Sequence, residues 1–264
     1  MTVGAVPRGH YRFRHAARME WIKLRTLRSV KWALLVALAG MIGIGIAAGH
    51  NTINPRGDVT NNILAGGALG SLVFAVLGVL VMTSEYSSGT IRATLAAIPR
   101  RPLVLAAKTA VFGVVALVTG EVATFAGFLA GAAFVRTGIP HPALSQPTVL
   151  RAVALSGAFL CLVGLIGLAL GAIVRHGAAA LAAVVVLVFV APLAGLAQTP
   201  AGKFLPELIY ANSLGATKPQ AGFSLSPWAG LGIICAYALV LLAIAGWLLV
   251  RRDACADKEE KMRR

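Results

Sequence analysis

The stretch Ala152-Val153-Ala154-Leu155-Ser156-Gly157-Ala158-Phe159-Leu160-Cys161-Leu162-Val163-Gly164-Leu165-Ile166-Gly167-Leu168-Ala169-Leu170-Gly171-Ala172-Ile173-Val174 carries no formal charge over 23 residues. A helix needs about 20 mostly apolar residues to cross the ~30 Å hydrocarbon core of a bilayer. This run meets that length unaided, so the chain reads as a membrane protein.

Working outward, similar runs recur on both sides. They predict spans at about Trp32–Ala48, Ile63–Thr83, Leu103–Val135, Ala178–Ala197 and Trp228–Val250. With Ala152–Val174 that makes six. Lys108 falls just inside the third run, where its stem allows snorkelling to an interface. Gly120 permits a bend there, Pro192 lies near the end of the fifth run, and Trp228 is placed like an interfacial anchor. The short Arg175-His176-Gly177 break predicts a tight antiparallel pair of helices. The expected fold is all-α and polytopic: a basic segment 1–31, a six-helix membrane domain 32–250 and a polar tail 251–264.

Composition agrees. Of 264 residues, 58% are hydrophobic and 12% charged, about half the charged share of a soluble domain. The net charge of +15 does not point to nucleic acid, because the cations cluster between the apolar runs and at the two ends. With six spans, 19 Lys and Arg fall on the side of the termini and 5 on the other. The positive-inside rule then makes both termini cytoplasmic, in a multi-pass protein of the plasma membrane. Three scattered cysteines and five loop or tail histidines form no metal-ligand spacing.

Two segments outside the spans carry structure. In residues 1–31, Phe13, Ala17, Trp21 and Leu24 recur at helical spacing among eight cations. This predicts a helix lying in the headgroup plane and touching membrane lipids. Between the fifth and sixth spans, residues 198–227 hold Phe204-Leu205-Pro206-Glu207-Leu208-Ile209-Tyr210, too short and polar to cross. A re-entrant or interfacial helix and an ordinary surface loop both fit.

The connection after the second span is the most informative. It reads Glu85-Tyr86-Ser87-Ser88-Gly89-Thr90-Ile91-Arg92-Ala93-Thr94-Leu95-Ala96-Ala97-Ile98-Pro99-Arg100-Arg101-Pro102. Ser87 or Ser88 can cap a helix. Ile91, Leu95 and Ile98 then share a face, and Pro99 stops the helix. Such a stripe needs the bundle or a groove on another protein to pack against.

This stretch resembles the signature of ABC-2-type transporter permeases. The matching elements are Glu85, Gly89-Thr90, Leu95, Pro99-Arg100-Arg101 and Ala107-Lys108; Glu20-Trp21-Ile22-Lys23-Leu24-Arg25 is also similar to family members. Sharp matches are confined to about 85–108 and 20–28. The resemblance implies that residues 85–101 form a coupling helix docking on a cytoplasmic ABC ATPase subunit, through Glu85, Gly89, Thr90, Ile91, Arg92, Leu95, Pro99 and Arg101. It further implies two ATPase subunits, a second permease copy or paralogue, and export of a hydrophobic or amphipathic small molecule, drug, peptide or lipid. The chain has no Walker A loop, so no cofactor is expected on it and ATP would be bound by the partner.

Glu121 lies near the middle of the third span, where an ionisable group is a default candidate for the translocation path. A hydrogen bond to a neighbouring helix is its structural alternative. The competing function is an ATPase-independent transporter or channel, although such carriers usually show several membrane acids. No H-E-x-x-H and no Gly two residues before a Ser-Gly pair favours an intramembrane enzyme.

Overall fold

The computed structural model describes residues 13–52, 58–90, 101–190, 199, 201–216 and 225–263, with side chains from 252 onward and at 101 and 189 left aside. Every regular element among them is helical: α1 (Phe13–Thr26), α2 (Arg28–Asn51), α3 (Val59–Leu64), α4 (Gly66–Ser87), α5 (Arg101–Ala133), α6 (Pro147–Val174), α7 (Gly177–Val185), α8 (Pro206–Ser213) and α9 (Pro227–Arg263). A π-helical turn, Val186–Val190, prolongs α7, and a 3-10 turn, Gly202–Phe204, precedes α8.

Five helical stretches are long and apolar enough to cross a membrane: Arg28–Asn51, Val59–Ser87, Pro102–Ala133, Pro147–Val174 and Pro227–Arg251. This falls short of the six expected from sequence. The difference lies at the fifth run. Only Gly177–Val190 is described as helix there, about 21 Å at 1.5 Å per residue, and Pro192 lies outside the described residues. The polar tail also departs from expectation, because α9 continues through it to Arg263. Its Ala, Lys, Glu and Met residues are good helix formers.

Helices α4 and α6 form the centre. Gly164 and Gly167 of α6 face the backbone of Phe74 and Ala75 on α4, and a methyl group at Gly167 would run into the Ala75 carbonyl oxygen. Close backbone approach through small residues is a usual way for helices to associate where lipid removes the hydrophobic drive. Gly45 on α2 and Gly131 on α5 meet the same way. The outer helices α2, α5 and α9 turn Trp32, Leu35, Val118, Val122, Leu239 and Trp247 outward, a surface suited to acyl chains.

Local chemistry sets the breaks. Thr26 Oγ1 donates to the carbonyls of Ile22 and Lys23, and the extended Leu27 then separates α1 from α2. Asp58 caps α3 by accepting from the Asn61 amide at 3.1 Å, and a step at Ala65 leads into α4. Arg175, at φ 60°, closes α6, and the ring of His176 caps α7, which gives the short turn expected at 175–177.

Candidate functional site

At the end of the bundle where α1 docks, four charged side chains from three helices meet. Lys108 of α5 donates to Glu20 Oε2 at 2.6 Å and to Glu85 Oε1 at 2.7 Å. Lys23 donates to the same Glu85 oxygen at 2.8 Å and to Glu20 Oε1 at 3.1 Å. Glu20, Glu85 and Lys108 are buried, and Lys23 reaches partly into solvent. Two cations and two anions cancel. That neutrality is what makes burial tolerable, since several kcal/mol of desolvation per ion is returned only by close, multiply bonded partners. Burial opposes the Lys23 charge, but its bonds to Glu85 and Glu20 outweigh this and lift the ammonium above its ordinary value of 10.5. Glu85 Oε2 is buried with no partner among the described residues.

The cluster gives α1 an inward face that the sequence pattern did not mark: Ala16, Glu20 and Leu24 are buried against the bundle, while Phe13 and Trp21 of the expected stripe are exposed. Ala16 packs on Val104 and Ala107 of α5. A glutamate faces inward because its cations are supplied there. Lys108 likewise does not snorkel: only 3% of it is exposed.

The connection after α4 is anchored at its base. Glu85 lies in the last turn of α4 and points inward, 6% exposed. Ser87 is the last residue of α4 and Ser88 its C-cap, whose Oγ donates to the Ser84 carbonyl at 2.7 Å; the helix expected to follow lies outside the described residues. Gly89 follows at φ 70°, the left-handed position that commonly terminates helices and favours glycine. Thr90 Oγ1 lies 2.8 Å from Ser88 Oγ. The Arg175 guanidinium sits 5.6 Å over the Tyr86 ring, tying α4 to the α6–α7 turn. Ile91, Arg92, Leu95 and Pro99 lie outside the described residues. Arg101 opens α5.

The opposite end of the bundle carries a second polar assembly. α8 inserts Ile209, Tyr210 and Leu214 into the core. The Tyr210 ring stacks on Phe159 with centroids 5.0 Å apart, and its hydroxyl donates to the Leu64 carbonyl. Asn61 Oδ1 accepts from the Ala216 amide at 2.9 Å. Glu207 faces Ser71 Oγ at 3.3 Å; burial pushes its carboxyl up to about 7, the Ser71 bond pulling the other way. The region 198–227 is therefore partly a folded helix packed into the bundle.

Glu121 stands apart from both assemblies. It is half-buried on α5 with its carboxyl against Gly157 of α6. Sequence reasoning missed Glu20, Lys23 and Lys108 as a set, and it missed Glu207. The available signal was acids being few, 9 Asp and Glu in 264 residues, so that each one near an apolar run needs a partner. No grouping of His, Cys, Asp and Glu suited to a metal ion occurs among the described residues. In comparisons with known proteins, no family model and no curated protein matches the chain.

Proposed function

We propose that this chain is the membrane-spanning permease subunit of an ABC-2-type transporter, powered by a separate ATPase. The observation that carries the reading is the buried Glu20–Lys23–Glu85–Lys108 cluster. All four residues belong to the stretches that resemble the family, Glu85 and Lys108 flanking the expected coupling segment and Glu20 and Lys23 in the amphipathic helix. An ATPase pressing on residues 85–101 needs a firm base to push against. Glu85 and Lys108 pin the two ends of that segment together, and Glu20 and Lys23 lock α1 to the same point. Glu85 and Lys108 thus act as positioning residues, and the docking surface proper is formed by Thr90, Ile91, Arg92, Leu95, Pro99 and Arg101.

On this reading the cluster end is cytoplasmic, the run Ala178–Ala197 forms the sixth crossing, and two permeases pair with two ATPases. Export of an amphipathic or hydrophobic compound or lipid follows from the resemblance. Affinity purification of the tagged chain from its native membranes tests the proposal. The wild type should bring down a Walker-motif ATPase and ATP hydrolysis, and R92E should lose both while remaining in the membrane. Equal co-purification with R92E would remove the coupling role.

A second reading, an ATPase-independent carrier, is favoured by Glu207, an acid added to Glu121 within the folded bundle. It requires transport activity from the chain alone in proteoliposomes.

A further inference from the structure

At the end of the bundle away from the charge cluster lies a cavity of about 220 Å³, lined by residues that include Asn61, Leu64, Ala68, Ser156, Glu207 and Tyr210. It is half again as large as the ~150 Å³ cavity that holds benzene in an apolar core. The hydroxyl and carboxyl groups around it mostly present acceptors, and the Asn61 amide, whose Oδ1 is taken by the Ala216 amide, adds N–H donors. Tyr210 commits its proton to the Leu64 carbonyl, Ser156 to the Ala152 carbonyl at 2.7 Å, and Ser71 is shared between the Ala68 carbonyl at 2.9 Å and Glu207 at 3.3 Å. A hydroxyl has one proton and two lone pairs. Tyr210 and Ser156, which lie within hydrogen-bond reach of each other, thus keep lone pairs rather than protons for a guest. Glu207 adds a carboxylate that makes no ion pair among the described residues. Leu64, Ala65, Ala68 and Ala211 supply an apolar wall.

We infer that this cavity is a binding site for a small primary alkylammonium group, with the N–H donors on Glu207, Tyr210 and Ser156 and the alkyl chain on the Leu64–Ala68 wall. An ammonium brings three donors for these acceptors and a positive charge, and no Lys or Arg lines the cavity to supply that charge. An anion would meet Glu207, and a neutral alkane would leave the carboxylate buried without a counter-charge. Arg151 lies near, but its guanidinium is turned to the Gly215 carbonyl at 3.3 Å and does not line the cavity. The site is independent of whether the chain works with an ATPase.

The test uses the full chain purified in detergent at pH 8, with thermal unfolding followed while n-butylammonium chloride is titrated. Controls at equal concentration are n-butanol, tetramethylammonium chloride and sodium chloride. The wild type should be protected, in a dose-dependent and saturable way, by n-butylammonium alone. E207Q should abolish the protection. A211L, which fills the space from an exposed position and keeps Glu207, should raise the half-saturating concentration at least tenfold, and it decides the matter where E207Q does not fold. Equal protection by n-butanol or tetramethylammonium, no protection of the wild type, or an unchanged response in either variant overturns the site.

Discussion

Lys108 Nζ lies 2.7 Å from Glu85 Oε1, 23 residues apart in sequence, so the chain leaving α4 and the chain entering α5 are fastened at one point. Each partner also bonds a residue of α1. The first prediction follows from this shared bonding. K108M leaves two buried carboxylates facing Lys23 alone, and breaking a buried pair costs about 3–5 kcal/mol. Denaturant unfolding in detergent measures the loss. The reversed double variant E85K/K108E should recover little, because Lys23 would then face a lysine and Glu20 a glutamate. Near-complete recovery would show that the four residues act as separate pairs.

Gly89 sits at φ 70° just past the end of α4. A β-carbon in that region costs about 1–2 kcal/mol, whereas asparagine tolerates it better. G89A should therefore lower stability by roughly that amount and G89N by less. Equal effects of the two substitutions would mean that the backbone there relaxes freely.

Gly167 meets the Ala75 carbonyl directly. G167A must push α6 from α4 along their main contact, and overpacking of this kind costs about 1–3 kcal/mol. G43A is the control, since nothing lies near that position. The pair should separate clearly in thermal midpoint, and identical midpoints would contradict the close approach.

Glu207 ties stability to pH. Its ordinary value is 4.5, and burial raises it in the folded chain to about 7. The folded state thus holds a proton that the unfolded chain releases. Its contribution is complete below about pH 4.5, declines as pH rises through the window to about 7, and is level above it. Each pKa unit corresponds to about 1.4 kcal/mol. The difference in unfolding free energy between wild type and E207Q, measured at pH 5 and pH 8, should move against the wild type at the higher pH. A constant difference would place Glu207 in water.

Much of the fold was legible because bilayer length and apolar runs leave few choices. The run at 152–174 became α6, and the small residues in it became its contact with α4. What escaped was whatever depends on distant partners. The stripe Phe13–Trp21 has the stronger amphipathic pattern, yet Glu20 faces inward because cations 3 and 88 residues away neutralise it. That α4 runs on through Ser87 to a C-cap at Ser88 was not marked by these residue types, which serve as well at a helix start. For Glu207 the sequence left a re-entrant or interfacial helix and a surface loop both open; the insertion of Tyr210 against Phe159 decides for a packed helix.

α4 reaches from Ser71, beside Glu207, to Glu85 in the ionic knot, without a proline between them. Fourteen residue steps of uninterrupted helix make a strut of about 21 Å. A tug at one extremity arrives at the other with nothing to absorb it, so the two polar assemblies cannot shift independently along that axis. α7 is built the other way: its π-helical turn at Val186–Val190 gives slack within a few residues of its start.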